Sequence, residues 1–450
     1  MEGGAEPAPA QEGTLLSQDA THPTSIIPPT PPLDVIIFAL MIPYQEARRL
    51  VVQIAAGCVR ASPLERRTVP LEEALGCVLA APLVADRDAP PFARSTRDGF
   101  AVRSAEVVKV PRTLKLVGEV RAGGEFNGSV GAGECVQIMT GAALPEGADA
   151  VVMVEHTRSE GGAVGVQIEV LRAVSAGANV VPRGREAKAG QEVLRAGARM
   201  GYAELSIAAQ FGHAQISAYA RPRIAVLATG DELVPVDERP GPFQIRNSNS
   251  HSIAAQITLA GGAPVRLGSA PDERDELRKK ILEGLQADAL VLSGGVSMGK
   301  YDLVEAVLRE LGAEFKFDAV AIRPGKPAVF GVCRGKPVLG LPGNPVSTMV
   351  TFELFGVPLV DVLGGAAARP LPLVKARLDG DIRLKAPLAH FLPAELTWRE
   401  DGAHVAELTW QGSGDVAALA RATCFLVVPE AKLEFAAGDW IDVLPRRDRI

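Results

Sequence analysis

The 450-residue chain predicts a multidomain protein of α/β plus β class. Three observations carry that expectation. Residues 222–365 alternate short apolar runs with stretches of helical spacing, the pattern of right-handed βαβ units around a mostly parallel sheet. Residues 85–175 are short alternating runs broken by glycine turns, which reads as a compact all-β module. Residues 371–450 return to that texture, as a small β-barrel or sandwich would.

Residues 1–40 are rich in Pro, Gly, Ser and Thr, with Pro28-Pro29-Thr30-Pro31-Pro32 at their centre, and are expected to be disordered. The apolar run Leu33–Pro43 is too short to span a bilayer and lacks a basic leader. No other segment reaches about 18 uninterrupted apolar residues, so no membrane association is expected. Five acids and no Lys or Arg fall within residues 1–40, which leaves 48 acidic against 47 basic residues in the remainder. A body so nearly neutral gives no support for nucleic-acid binding. Five scattered cysteines without a CxxC read as buried, reduced thiols, which suits the cytoplasm.

Pro43 opens an amphipathic helix carrying Leu50, Val51, Ile54 and Cys58 on one face. A second helix is expected over residues 70–83. Alternation marks strands at 113–120, 134–139 and 164–170, and a helix is expected at 202–210. The α/β region then offers strands at 223–228, 264–267, 287–292 and 337–341, with helices at 252–259, 272–285 and 302–311. Residues 424–429 and 440–444 close the chain as strands.

Ligands of open α/β sheets bind beyond the carboxyl ends of the strands. Three loops fall there: Thr229–Glu232, Ser293–Asp302 and Leu341–Ser347. Their glycines let a backbone approach a ligand, and successive N–H groups can cradle an anion. Asp231, Glu232 and Asp302 add carboxylates, so a phosphorylated ligand with a divalent cation fits, because Mg²⁺ takes one or two carboxylates plus phosphate oxygens. Gly294–Lys300 imitates a P-loop, but Tyr301 stands where Ser or Thr would bind the metal. No GxGxxG follows a strand, and no HExxH or GxSxG occurs. Arg323-Pro324-Gly325-Lys326-Pro327 is a stiff turn with two cations, open to either an oxyanion-binding or a solvated reading. Asp98-Gly99 alone reads as a turn, Thr140 as a strand-end cap and Glu204 as a helix-dipole partner. The six histidines form no metal-like cluster.

Together the segments say more. Met41-Ile42-Pro43, Ser95–Ala101, Met139-Thr140-Gly141-Ala142, Arg183-Gly184, Thr229-Gly230-Asp231-Glu232-Leu233, Ser293-Gly294-Gly295-Val296-Ser297, the Arg323–Pro327 turn and Leu341-Pro342-Gly343-Asn344-Pro345-Val346-Ser347 follow one another in an order that resembles the MoeA family. These are molybdopterin molybdenumtransferases, related to the E domain of gephyrin. The resemblance implies an elongated linker and dimerisation domain from residues 41–85 and 176–220, and an inserted all-β domain at 86–175. It further implies a MogA/MoaB-like, molybdopterin-binding α/β domain at 221–368 and a C-terminal β-barrel at 369–450. It implies insertion of molybdenum from molybdate into adenylylated molybdopterin, with release of AMP, in a cleft shared between the subunits of a homodimer. The positions it marks as catalytic are Asp98, Thr140, Glu186, Glu204, Asp231 and Asp302, with Asp231 and Asp302 holding Mg²⁺. Substrate would meet Thr229, Gly230, Ser293, Gly294, Gly295, Ser297, Arg323, Lys326, Pro342, Asn344, Pro345 and Ser347. Of a basic pair usual in the family, the second matches Arg323 and the first falls on Ala319. A separate molybdopterin adenylyltransferase is an expected docking partner. The competing readings are an adenylyltransferase of MogA or MoaB type, usually a shorter chain, and a gephyrin-like scaffold.

Overall fold

The run of apolar residues after Arg223 forms the strand Arg223–Thr229, next to the edge of a six-stranded sheet. In the computed structural model, which describes residues 41–159, 163–295 and 303–449, the strand order is Ala263–Ala270, Arg223–Thr229, Ala289–Ser293, Lys336–Leu341, Val329–Cys333, Glu314–Phe317. The first three pairings are parallel and the last two antiparallel. Both faces are covered, so Ala289–Ser293 is buried along its whole length. Ile224 and Val226 pack with Ile253, Ile257 and Val346 on one side. Ala225 and Leu227 pack with Leu277, Ile281 and Val304 on the other. The two-residue period of the strand thus divides its side chains between two helical layers. The expectation of disorder over residues 1–40 lies outside the described residues.

The helix after Pro43 runs over Tyr44–Ala61 and buries Ala47, Val51 and Ala55. Those residues join the core layer of Ile224 and Ile253, so this helix packs with the α/β sheet rather than with the linker strands. A second helix escaped the sequence patterning. Pro345–Thr351 continues through a wider turn at Phe352–Gly356 into Val357–Leu363. Pro345–Leu363 is long and apolar enough to cross a membrane by length and composition, and 89% of it is buried inside the fold. Its polar residues, Ser347, Thr348, Thr351, Glu353 and Asp361, are buried with the apolar ones, so no solvent-facing stripe marks it as amphipathic.

The linker is built on Arg66–Pro70 paired antiparallel with Gln215–Tyr219, and on Leu83–Val84 paired with Glu192–Leu194. The helix expected over 70–83 does not form. A single 3₁₀ turn, Leu71–Glu73, is followed by Gly76 at φ +77°, whose N–H donates to the Met200 carbonyl. Val78 and Leu79 then bridge to Arg199 and Ala218. Long-range pairing has overridden the local helical spacing. The helix Tyr202–Gln210 forms as expected.

The all-β region is one sheet of order Ala150–Met153, Gly99–Val102, Glu134–Ile138, Arg112–Val120, Gln167–Val170, Thr157–Ser159. At the C-terminus, Ala389–Arg399 pairs with both Gly402–Glu407 and Cys424–Val428. Val374–Leu378 and Trp440–Pro445 complete the circuit, closing a five-stranded barrel. All five cysteines are free; burial pushes the thiols of Cys135 and Cys424 up to about 12.

Candidate active site

Beyond the carboxyl ends of the parallel strands lies an open cleft of about 430 Å³. Thr229, Ser293, Gly294, Asn344 and Pro345 line it, which brings residues of the three strand-end loops together. Its floor is built on glycines that admit no side chain. Gly294 sits at φ +89°, and a Cβ there would meet the Thr229 carbonyl oxygen at 2.5 Å. Gly295 sits at φ +60°, where a Cβ would lie 2.6 Å from Thr229 Oγ1. Both the backbone conformation and the space therefore require glycine. The neighbouring Gly230 is buried in the turn after the first strand, its N–H donating to the Ala270 carbonyl.

The cleft also holds residues that sequence reasoning passed over. Asn249, at the start of Asn249–Ala260, donates through Nδ2 to Ser293 Oγ at 2.8 Å and to the Gly343 carbonyl at 2.7 Å. It ties two of the three loops together. Its Oδ1 is buried and has no partner among the described residues, and the same holds for Thr229 Oγ1. A polar atom buried and unpaired is costly, so both are places for ligand groups. Arg246 is the cation among the lining residues, and Gly414 brings in the barrel. The polar sequence Arg246-Asn247-Ser248-Asn249 ahead of a helical run was the available signal. The N–H groups of Gly343 and Asn344 find no acceptor among the described residues, and they stand where the helix from Pro345 begins. That is a donor set for an anion.

Asp231 takes a supporting position. Its Oδ1 accepts the Asp272 N–H at 2.9 Å, and Glu232 rather than Asp231 faces the cleft. Burial, then the charges of Asp231 and Glu232, hold the Asp272 carboxyl above its usual range. Three carboxylates thus stand within electrostatic reach of one another. Among the described residues no group of three or more converges as a ready metal cage. Mg²⁺ does not need one, since it binds through one or two carboxylates and completes its shell with phosphate oxygens and water, and these oxygen donors fit it. Ser297 and Asp302 lie outside the described residues.

A second set gathers on the all-β sheet and the adjoining linker. Asp98 Oδ1 accepts from the Thr140 N–H at 2.6 Å and from Thr140 Oγ1 at 2.7 Å. These bonds, the backbone one first, hold the Asp98 carboxyl below its usual range. Both fall on Oδ1, so Oδ2 has no partner among the described residues. Arg94 Nη2 donates to Glu186 Oε1 at 2.9 Å, and Ser95 meets Gly141 and Ala142 through backbone bonds. Asp98, Thr140 and Glu186 are thereby brought onto neighbouring segments across some 90 residues of chain. Among the described residues, no hydrogen bond or ion pair links this set to the cleft.

The remaining candidates lie elsewhere. Glu204 Oε2 accepts the Gly201 N–H at 3.0 Å and caps its own helix. Arg323 lies in a two-residue strand beside Ala389 and His390 of the barrel, and Gly325 of the same turn packs on Thr351. Neither Arg323 nor Lys326 lines the cleft. Ser347 is 4% exposed, inside the helix from Pro345, and Pro342 accepts from Thr348 Oγ1 at 2.5 Å. Both shape that helix from behind. Ala319 is 3% exposed and its carbonyl accepts the Ile42 N–H, so this position offers the cleft no cation.

Three family descriptions match the chain: the MoeA N-terminal region (domains I and II) over residues 42–212, a probable molybdopterin-binding domain over 225–362, and the MoeA C-terminal region (domain IV) over 375–445. A molybdopterin molybdenumtransferase of Staphylococcus aureus is 33% identical over 415 residues, covering 90% of this chain and 95% of that protein. The Bacillus subtilis protein of that name is 32% identical over 391 residues, covering 85% and 90%. Two crystal structures of a MoeA protein from Pyrococcus horikoshii superpose with TM-scores of 0.68 and 0.72, at 30% and 26% identity. Each comparison covers 90% of this chain, and 99% and 100% of the respective neighbours. The loop order, the cleft and these likenesses agree, and the chain belongs to the MoeA family of molybdopterin molybdenumtransferases.

Proposed function

We propose that this chain inserts molybdenum from molybdate into adenylylated molybdopterin, releasing AMP. The observation that carries the reading is the glycine floor closed against Thr229, beside the unpaired Oδ1 of Asn249 and the N–H groups of Gly343 and Asn344. It is a site for a ligand with phosphate charge and a hydrogen-bonding body. The bond to be broken is a phosphoanhydride P–O bond, and negative charge must be held on its oxygens. Preorganised donors do that without reorganising during the reaction. The N–H groups at Gly343 and Asn344 hold a phosphate, and Arg246 adds a cation at the rim. Asn249 accepts an N–H or O–H of the ligand and fixes its orientation.

Asp231 and Asp302, with Glu232 facing the cleft, are the residues that would hold Mg²⁺. When bound, the ion neutralises charge at the pyrophosphate. The Asp98 carboxylate, kept ionised by Thr140, reaches the cleft of a partner subunit in a homodimer, and Glu186, paired with Arg94, belongs to the same patch. A catalytic role for Asp98 calls for that second copy, because no hydrogen bond or ion pair among the described residues joins the two sets. Supply of an adenylylated substrate calls for a separate adenylyltransferase as partner. Five free thiols support a reducing compartment, the cytoplasm. The test is AMP release from adenylylated molybdopterin with and without molybdate. Molybdate-dependent release is expected; release that ignores molybdate would refute the reading.

A further inference from the structure

At the amino ends of the sheet strands, opposite the cleft, lies a second pocket of about 520 Å³. Arg223 begins one strand there, Lys336 begins another, and Asp288 precedes a third. The chain passes twice between the linker and the α/β region, at residues 62–65 and 220–222, and both passages line this pocket. The Ala220 N–H donates to the Glu65 carbonyl at 2.9 Å and fastens one passage to the other. Leu64, Pro222 and Leu363 supply apolar wall.

The charge in this pocket is unbalanced. Arg67, Arg221, Arg223, Arg334 and Lys336 line it against two carboxylates, Glu65 and Asp288. Glu65 pairs with Arg67 at 3.0 Å. Asp288 accepts the Arg223 N–H at 2.8 Å through Oδ2, and its Oδ1 stands 3.8 Å from Lys336 Nζ. Both carboxylates are thereby engaged. The guanidinium groups of Arg221, Arg223 and Arg334 have no hydrogen-bond or ion-pair partner among the described residues. All three residues are exposed, so a ligand can reach them. Arg334 adds an independent sign. It stands in the two-residue turn between Val329–Cys333 and Lys336–Leu341, with φ +50°, and Gly335 follows at φ +76°. Such a turn favours Asn, Asp and Gly. A bulky residue held at positive φ is an outlier, and this one brings its long cationic side chain to the pocket at a backbone cost.

We propose that this pocket binds a small anion made of two or more linked phosphates. Arg334 comes to it from the sheet hairpin, and Arg221 and Arg223 from the passage into the first strand. Each guanidinium can fork two N–H donors onto phosphate oxygens. Several negative charges on one compact group answer three free cations, where a lone carboxylate would leave cations in excess. An anion held this way bridges the hairpin to the passage, and so braces the α/β region against the linker. The proposal is independent of the reading of the cleft.

The test is calorimetric titration of the full chain with inorganic pyrophosphate at fixed ionic strength, with sulfate as control. Saturable binding of pyrophosphate is expected, with sulfate at least about tenfold weaker for want of a second charged group. Arg334→Asn removes one cation and sets at φ +50° a residue that accepts it. The unfolding midpoint should therefore hold or rise, while binding weakens about tenfold. Arg221→Gln, at an exposed residue, should weaken binding to a similar extent with the midpoint unchanged. The cleft also takes phosphate on the reading above, and Gly294→Val separates the two sites: binding at the arginines should survive it. Binding lost in Gly294→Val but unmoved by both arginine variants would assign the anion to the cleft and overturn the proposal. Equal binding of sulfate would overturn it as an adventitious ion only. Failure of the native chain to bind pyrophosphate, with a glutamate-rich peptide held by the same arginines, would overturn it by assigning the pocket to an acidic protein segment.

Discussion

The α/β cleft and the Asp98 patch carry their polar groups in opposite ways. In the cleft, Thr229 and Ser293 are 3% and 2% exposed, and unpaired atoms are fixed by packing. On the all-β sheet, Asp98 and Thr140 are exposed, and they are oriented by hydrogen bonds alone. A buried, rigid donor set can recognise a ligand by itself. An exposed carboxylate is screened by water and acts only weakly until another surface covers it. On the reading proposed above, the cleft binds the substrate and the patch acts once a partner subunit brings it there.

The largest effect should come from breaking what holds the α/β helices to the linker. Asp361 is fully buried and takes bonds from Arg199 and Arg369. Asp361→Asn leaves two partly buried guanidinium groups without their counter-charge and should cost about 3 kcal/mol of unfolding free energy in urea titrations. Gly294→Val should come next. It forces a Cβ against the Thr229 carbonyl, and should lower molybdate-dependent AMP release about a hundredfold by losing substrate affinity. Asp98→Asn should lower turnover about tenfold or more while leaving affinity for adenylylated molybdopterin intact. A mixture of these two variants sharpens the contrast. If subunits exchange freely, half the dimers carry one intact site and activity returns to about a quarter of native. A mixture that exchanges yet stays inactive would show that the patch does not complete the cleft.

Smaller effects separate the parts within each region. Asn249→Leu removes the acceptor and the tie to Ser293, and should raise KM about tenfold with a lesser change in kcat. Thr140→Val deletes one of two bonds to Asp98 and should move its titration upward toward the ordinary carboxylate value near 3.9, as read by NMR. The native folded value lies below the unfolded one. Asp98 therefore contributes stability above the unfolded value, and loses it as pH falls through the folded one.

Loops at strand ends were legible in the sequence because glycine has few uses. Gly294 stands at positive φ against the Thr229 carbonyl, Gly295 at positive φ against the side chains of Val304 and Thr229, and Thr229 and Asn344 line the cleft. The strands and most helices were legible through period. What was not legible depended on distant partners. Residues 70–83 have helical spacing, yet Val78 and Leu79 find bridges to Arg199 and Ala218. Asn249 looks like any polar residue before a helix until Ser293 and Gly343 arrive beside it. Charge and spacing left the turn of Arg323 and Lys326 open between an oxyanion site and a solvated turn, and only the family resemblance chose; charge says nothing about direction, and the turn leads to the barrel and to Thr351.

The helical segment from Pro345 to Leu363, apolar but for two carboxylates and three hydroxyls, has a consequence for synthesis. The ribosome makes the chain from its amino terminus, so Tyr44–Ala61 and the sheet strands through Lys336–Leu341 are already outside when this segment emerges. Its receiving surface, including Val51, Ile253 and Ile257, therefore exists before the segment does. The order of the genetic message spares the cell a long interval in which a stretch fit for a lipid bilayer stands bare to water, where targeting factors and chaperones compete for it.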